Sequence, residues 1–430
     1  MTKRIVITGI GWVTPLGYDI ESVWQGLLAG KSAIGKTTHF DASTFPTSFC
    51  GQVADEYDHD NFVTHKNLHQ GVGANTSFAL GAATQAWRSA GLDQYADLDP
   101  TRLGIYLGSG EGSLDFENFA ASALAGWDPE TRSIDAVKWV AKAQQCMNAI
   151  CEIEQEPNMP LSHLAMEFNA QGPAYNCLTA CAASTQAIGE ATEVLRRGQA
   201  DVMISGGAHT MIHPLGVTGF NRLTALSTRS DSPQTASRPF SADRDGFVMG
   251  EGSGMLILET LEHAQKRGAT ILAEITGYGS SADAFRVTDM HPEGMGAYAA
   301  MKQALDQAHV TTADIDYISA HGTSTKENDS TETMAIGKLF AEHAPSTPVS
   351  SIKSMLGHLI AAAGSVEAIV CVLALRDQMI PPTINYGKVD PECQLDYVPN
   401  ESRSLPVDIC LSNSFGFGGQ NDTLVIRKFL

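Results

Sequence analysis

Residues 176–191, NCLTACAASTQAIGEA, hold a cysteine where a second molecule can reach its sulfur. Thr179, Ala180, Ala182, Ala183 and Ser184 around Cys181 are all small. From Ala182 to Arg197 the chain is rich in Ala, Glu and Leu and stops at Gly198, which predicts a helix with Cys181 at or near its N-terminus. Unpaired N–H groups and the dipole there favour a thiolate, the nucleophilic form. A lone cysteine among alanines is more often a buried packing residue, so chemistry at Cys181 needs partners from elsewhere. Two histidines are candidates: His321 in AHGTST (320–325) and His358 at the end of SSIKSMLGH (350–358). A neutral imidazole N–H can hold an oxygen on which charge develops. Beside a glycine, though, either histidine alone reads as a turn or core residue.

An internal echo brings the three together. DPTRLGIYLGSGEG (99–112) and DIDYISAHGTST (314–325) share a strand followed by a loop. NCLTACAASTQAIGEA is answered by SSIKSMLGHLIAAAGSVEAIV (350–370), and DVMISGGAH (201–209) by DICLSNSFGFGG (408–419). IVITGIGWVTP (5–15) is answered more faintly by LAEITGYGSS (272–281). Four matches in one order predict two related halves, 1–268 and 269–430, facing each other across a pseudo-two-fold axis. Cys181, His321 and His358 then fall at equivalent loop and helix-start positions, and one site between the halves holds all three.

With these residues in view, the chain resembles the elongating β-ketoacyl–acyl carrier protein synthases of the thiolase-fold superfamily. TACAAST, AHGTST, SSIKSMLGH, NSFGFGGQN (413–421) and RPFSADRDGFVMGEGSGMLILE (238–259) carry the resemblance, and it spans essentially the whole chain. It implies an α/β fold of five layers, α-β-α-β-α, in which helices enclose and separate two mixed sheets. The chemistry implied is a decarboxylative Claisen condensation. Cys181 takes an acyl chain as a thioester, and malonyl–acyl carrier protein loses carbon dioxide to give an enolate held by His321 and His358. The backbone N–H groups of Cys181 and Phe417 then hold the tetrahedral oxyanion. By the same resemblance Lys353, on a strand end, is a cation near the histidines, and Glu332 anchors its network. Thr323 and Thr325 bond the pantetheine arm, with Phe415 and Glu111 also beside the substrate. Phe417 between Gly416 and Gly418 is a gate, and Lys66, Arg222 and Arg229 meet the carrier protein. The implied partners are an acyl carrier protein, whose phosphopantetheine carries the substrate, and a second subunit in a homodimer or a heterodimer with a related ketosynthase-like chain.

No metal or nucleotide is needed by this chemistry. GSGEG and GEGSG lack a Walker lysine or a full dinucleotide fingerprint. Other classes fit less well. A chain-length-factor-like partner subunit lacks the nucleophile, a thiolase needs a second cysteine in the C-terminal loop, and a priming synthase carries Asn where His358 stands.

The net charge of −20 argues against nucleic-acid binding and polybasic membrane contact. The eight cysteines form no zinc-type pairs, and the start has no signal-peptide pattern, which predicts a reducing cytoplasm without disulfides. The apolar run 358–375, interrupted by Ser365 and Glu367, reads as a buried core helix. Within residues 113–160, SIDAVKWVAKAQQCMNAICEIEQ (133–155) reads as helical and amphipathic, ended by Pro157 and Pro160, and by resemblance the segment approaches the dimer partner and the far end of the acyl pocket. Glu111 stands where the family has a small or aliphatic residue, Gln420 where Thr is common, and Arg286 where His is usual. If Glu111 lines the pocket, it favours acyl chains with keto, hydroxyl or conjugated groups over saturated ones.

Overall fold

The computed structural model describes residues 3–430. Ten strands make one sheet: β1 (Ile5–Val13), β2 (Leu103–Ser109), β3 (Ala174–Cys177), β4 (Val202–His209), β5 (Gly252–Thr260), β6 (Ala273–Ala282), β7 (Tyr317–Ser319), β8 (Val349–Ser350), β9 (Ile409–Phe415) and β10 (Gln420–Arg427). The helices that frame the site are α1 (Ala74–Ser89), α2 (Phe116–Gly126), α3 (Ala136–Cys146), α4 (Met159–Phe168), α5 (Ala183–Arg196), α6 (Pro214–Arg222), α7 (Met295–Ala308), α8 (Lys326–Phe340) and α9 (Ala363–Asp377).

The strand order is β8-β7-β9-β10-β6-β1-β5-β4-β2-β3. Divided between β6 and β1, it is one arrangement used twice: β1-β5-β4-β2-β3 and β6-β10-β9-β7-β8. In each, the first two pairings are antiparallel and the last two parallel. The two sheets expected from sequence are joined, because Ile5–Ile7 of β1 pair antiparallel with Ala273–Ile275 of β6. Each half would otherwise leave the edge of its first strand unpaired, and this pairing satisfies both edges.

The layers follow from which residues are small. Helix α1 packs on β1 and β5, and α7 packs on β6 and β10. A Cβ on Gly9 or Gly11 would lie 2.1 Å from a carbonyl oxygen of α1, and on Gly277 or Gly279 2.1 or 2.0 Å from one of α7. Glycine at these strand positions is what lets each outer helix sit against its sheet. Between the sheets lie α5 and α9, each touching strands of both halves. Helix α9 is buried from Ala363 to Leu375, so it is apolar all round, as a helix in a middle layer must be. Ser184 of α5 accepts the Ser365 N–H at 3.0 Å and ties the two central helices together. Among the described residues, no helix is long and apolar enough to cross a membrane, and all eight cysteines are free thiols.

Residues 113–160 are less continuous than expected. Helices α2 and α3 form a hairpin closed by a short ribbon, Trp127–Asp128 against Ser133–Ile134. Pro157 lies beyond the last short helix of the segment, but Pro160 opens α4 and does not end a helix. Proline suits a first helical turn, whose N–H groups have no intrahelical partner.

Candidate active site

Cys181 sits in a 3₁₀ turn, Ala180–Ala182, that leads directly into α5. The matching turn of the second half, Ile360–Ala362, leads into α9. Ala180 and Ile360, the first residue of each, hold φ of 48° and 46°. This left-handed backbone is costly for a side chain, and for a β-branched residue above all. The counterpart of Cys181 is therefore Ala361. His358 lies three residues before it, in the loop after the helical turn Lys353–Leu356. Lys353 opens that turn and is not on a strand, because β8 stops at Ser350.

The expected three residues meet. The Cys181 sulfur and a ring nitrogen from each of His321 and His358 all lie within 4.8 Å of one another. They lie at a cavity of about 450 Å³ also lined by Thr323, Thr325, Phe415, Gly416 and Phe417. The two imidazoles are edge to face, 5.3 Å between centroids at 82°. Phe415 flanks His321 at 5.9 Å and Phe247 flanks His358 at 5.5 Å. Thr323 and Thr325 face each other with hydroxyls 3.0 Å apart, and Thr325 also caps α8.

The hydrogen bonds set the tautomers. His358 Nδ1 accepts the Ile360 N–H at 3.2 Å, so its proton is on Nε2, which is buried without a partner. His321 Nδ1 faces Lys353 Nζ at 3.5 Å. A lysine there can only donate, so His321 also carries its proton on Nε2. Burial, then the Lys353 charge, holds both histidines well below the usual pKa. The site thus presents two neutral N–H donors.

The sulfur differs from expectation. Cys181 is only 6% exposed. Burial pushes its pKa up to about 11, although the backbone amides of Phe417 and Cys181 and the Lys353 charge oppose this. Desolvation outweighs the helix terminus, so the resting sulfur is a thiol. The same two amides stand beside the sulfur.

The Lys353 network is also arranged differently. Its ion-pair partner is Glu367 of α9, which sequence reading treated only as an interruption in an apolar helix. A carboxylate in a helix buried on every side needs a partner, and that was the available signal. Glu332 instead accepts the backbone N–H groups of His321 and Gly322 at 2.9 and 2.8 Å and so shapes the His321 loop. Burial raises both Glu332 and Glu367 to about 7.

Gly416 closes the short turn between β9 and β10, and its N–H reaches the Gln420 carbonyl at 2.7 Å. Gly418 and Gly419 hold φ of 93° and 80°, which only glycine adopts freely. The Gly418 N–H donates to the Val287 carbonyl at 2.7 Å, so the segment carrying Arg286 buttresses the loop, while Arg286 itself turns out to Asp289. Phe417 is half-buried and faces Phe220 at 6.5 Å.

Three expected contacts fall elsewhere. Glu111 is exposed and does not line the cavity. Gly110 is packed against the His209 ring, and the chain turns outward after it, with the Glu111 carbonyl held by Asn75 at 2.6 Å. Arg229 is bound to Asp245 at 3.3 Å and to Asp243, so it offsets acidic residues at the mouth and is not free for a partner. Lys66 is exposed on a turn packed against α4, away from the elements that form the mouth. Arg222 is exposed beside Leu223 and Thr224 of the mouth, and Lys326, which sequence reading missed, lines it directly at the first residue of α8.

Solved structures share this architecture. The ishigamide ketosynthase/chain length factor superposes with a TM-score of 0.89 at 34% identity, and covers 100% of both chains. A type II PKS ketosynthase solved in complex with its acyl-carrier protein gives 0.87 at 33%, again over 100% of both. The fold and the site together define a thiolase-fold condensing enzyme. The family described as beta-ketoacyl synthase, N-terminal domain, matches residues 2–264, and its C-terminal domain matches residues 272–387. The 3-oxoacyl-[acyl-carrier-protein] synthase 2 of Coxiella burnetii is 42% identical over 426 residues, 99% of each chain. That of Synechocystis is 42% identical over 427 residues, 99% of this chain and 98% of its own. The chain belongs to the β-ketoacyl synthase family.

Proposed function

We propose that this protein elongates acyl chains by decarboxylative condensation, with Cys181 as acyl acceptor and His321 and His358 as the enolate-stabilising donors. One observation carries the reading: two neutral imidazoles, each protonated on Nε2, converge on the cysteine, and the His358 donor has no partner among the described residues. The Cys181 thiol attacks an acyl thioester, and the carrier's thiol leaves with the proton. A malonyl thioester then enters. Its carboxylate departs as carbon dioxide, and the electron pair of the broken C–C bond passes to the thioester oxygen, where both Nε2–H groups meet the charge. The enolate carbon attacks the acyl carbonyl. The oxyanion so formed is held by the N–H groups of Cys181 and Phe417, and its collapse frees the sulfur and a 3-oxoacyl thioester. Lys353 and Glu367 position His321, Glu332 shapes its loop, and Thr323 and Thr325 bond the pantetheine arm. No metal or organic cofactor takes part.

The donor is an acyl carrier protein, as in the solved relative that carries one, and Arg222 and Lys326 are the cations at the mouth that meet it. Residues 1–268 and 269–430 are the two halves of this reading, supported by the repeated strand order. The protein works as a dimer through the edge strand β3. Tyr175 and Leu178 are exposed there, as are Phe119, Trp127 and Val137 of the adjoining segment. The partner is a second copy or a chain-length-factor-like subunit. The reducing cytoplasm suits its eight free thiols. A purely non-catalytic role leaves Cys181 and its two donors without a purpose.

The test is intact-protein mass spectrometry after incubation with acyl–acyl carrier proteins. An acyl adduct on Cys181 is expected, followed, on adding malonyl–acyl carrier protein, by carbon dioxide release and a product longer by two carbons. An unmodified Cys181 under all acyl donors would overturn the reading.

A further inference from the structure

His209 ends β4 and is 1% exposed, yet neither of its ring nitrogens has a hydrogen-bond partner among the described residues. Leaving a buried polar group unpaired costs about 1–3 kcal/mol, so such a group calls for an explanation. Nothing structural supplies one. The ring lies against Gly110, where a Cβ would come within 2.1 Å of its Cε1 atom. This glycine makes room for an imidazole that bonds to nothing among the described residues.

Its position points to the acyl chain. Side chains alternate along a strand, so His209 shares a face with Gly207. A Cβ on Gly207 would meet Ser184 and the Ala361 carbonyl, in the middle layer that carries Cys181. His209 is close enough to His358 that protonating one ring would oppose protonating the other, and His213 opposes protonation of His209 in turn. The residues just after it, Met211 and Ile212, pack in one apolar cluster with Cys181, Val217, Phe220 and Ile360. The cavity at Cys181 is not lined by His209, so an acyl chain meets the imidazole only by extending beyond the cavity wall into this apolar cluster. Burial lowers the His209 pKa to about 4, so at neutral pH the ring offers one N–H donor and one nitrogen acceptor.

We propose that His209 is a specificity-determining residue that hydrogen-bonds a hydroxyl or keto oxygen on the acyl chain held by Cys181. The proposal rests on the condensing reading above and narrows its substrate to oxygenated chains. A keto group takes the ring's donor and a hydroxyl takes either nitrogen, while a saturated chain satisfies neither. The role that sequence reading assigned to Glu111 thus passes to a neutral group in the interior. Glu111 lies further out, acting on His213.

The experiment is a competition for Cys181 between octanoyl–acyl carrier protein and its monohydroxy and monoketo derivatives, read as the ratio of adducts by mass spectrometry. Because all the donors compete for the same protein, partial unfolding of a variant cancels from the ratio. The wild type is expected to prefer at least one oxygenated derivative by about tenfold. His209→Leu should lose that preference, and His209→Gln, which keeps a donor and an acceptor, should retain most of it. No preference in the wild type, or an unchanged preference in His209→Leu, would overturn the proposal while leaving condensation intact. Absence of any adduct in the wild type, octanoyl included, would overturn both readings.

Discussion

The backbone N–H of Ile360 donates to Nδ1 of His358, and this bond turns the ring's other nitrogen into a buried donor with no partner. The residue that makes it is the strained first residue of the turn into α9, so the second half spends its version of the Cys181 turn on orienting a histidine. From this geometry, His358→Ala and His321→Ala should each slow malonyl decarboxylation by about 10²–10³-fold. Acyl transfer to Cys181 should remain detectable in both. Cys181→Ala should abolish condensation and keep some decarboxylation. Carbon dioxide release and adduct mass, measured on the same samples, separate the two half-reactions.

Acidity provides an independent check on the same groups. Burial holds His321 and His358 far below the ordinary histidine pKa, so decarboxylation should stay flat between about pH 8 and pH 6, across the usual value of about 6.5. Stability behaves otherwise. Below about pH 6.5 the unfolded chain binds protons that the folded site refuses, so the stabilisation is whole above that pH and is lost as pH falls toward the folded values. Cys181, raised to about 11, should be alkylated by iodoacetamide at a rate that climbs with pH and shows no plateau near neutrality. A plateau below about pH 8 would mean a thiolate at rest.

Lys353 and Glu367 form an ion pair in which both side chains are almost fully buried. Replacing one member strands a charge, which costs about 3–5 kcal/mol, whereas replacing both with apolar residues is often neutral. Lys353→Met and Glu367→Leu should each lower the melting temperature sharply. The double variant should recover stability and remain slow in decarboxylation, because His321 loses the donor that sets its tautomer. Recovery of both properties would assign the pair to stability alone.

Cys181, His321 and His358 bring together three atoms of the kind that ligate zinc. The Lys353 charge beside His321 opposes a cation there. Turnover should therefore survive exhaustive chelation, and added zinc should inhibit in a way that chelation reverses. A loss of rate in proportion to metal removed would give the cluster a different role.

Legibility in the sequence tracked how local each cause was. The two halves were readable because glycines and small residues mark strand ends and close helix contacts in the same order twice. Cys181, His321 and His358 stood out through the loops around them. Pairings over long separations were not readable. Nothing near Arg229 in the chain distinguishes a free cation from one bound to Asp243 and Asp245. Glu332 and Glu367 are both single carboxylates in helices, and only the fold shows that one holds backbone amides and the other Lys353. The Cys181 pKa depends on burial by distant elements, which a local helix-dipole argument leaves out. Glu111 was misplaced because the direction of a loop residue is set by what packs behind it, here His209 against Gly110.

The same limit hid a buried chain of four ionisable groups. His69 and His163, 94 residues apart, face each other through Nδ1 atoms at 2.9 Å. Their Nε2 atoms face Glu167 and Glu154, each at 3.0 Å. Burial raises Glu154, but its bonds to His163, Gly73 and Thr76 outweigh this and hold it below the usual carboxylate range. An ionised carboxylate only accepts, so His163 Nε2 donates to Glu154. The three contacts along this row need three protons, one more than two neutral rings carry. This chain fastens α4 and the 113–160 segment to the start of α1, where Glu154 accepts the Gly73 N–H at 3.1 Å and the Thr76 hydroxyl at 3.0 Å. The loop holding Glu111 hangs from the same place, because Gly112 and Ser113 donate to the Gln155 and Glu154 carbonyls at 3.1 and 3.2 Å. His163→Phe keeps a ring and removes both nitrogens. It should cost about 1–3 kcal/mol through the partners left unpaired. It should also abolish a far-downfield N–H···N proton resonance and speed amide exchange at Gly112 and Ser113, while the Cys181 adduct still forms. A variant with unaltered exchange there would show that backbone contacts alone hold the loop.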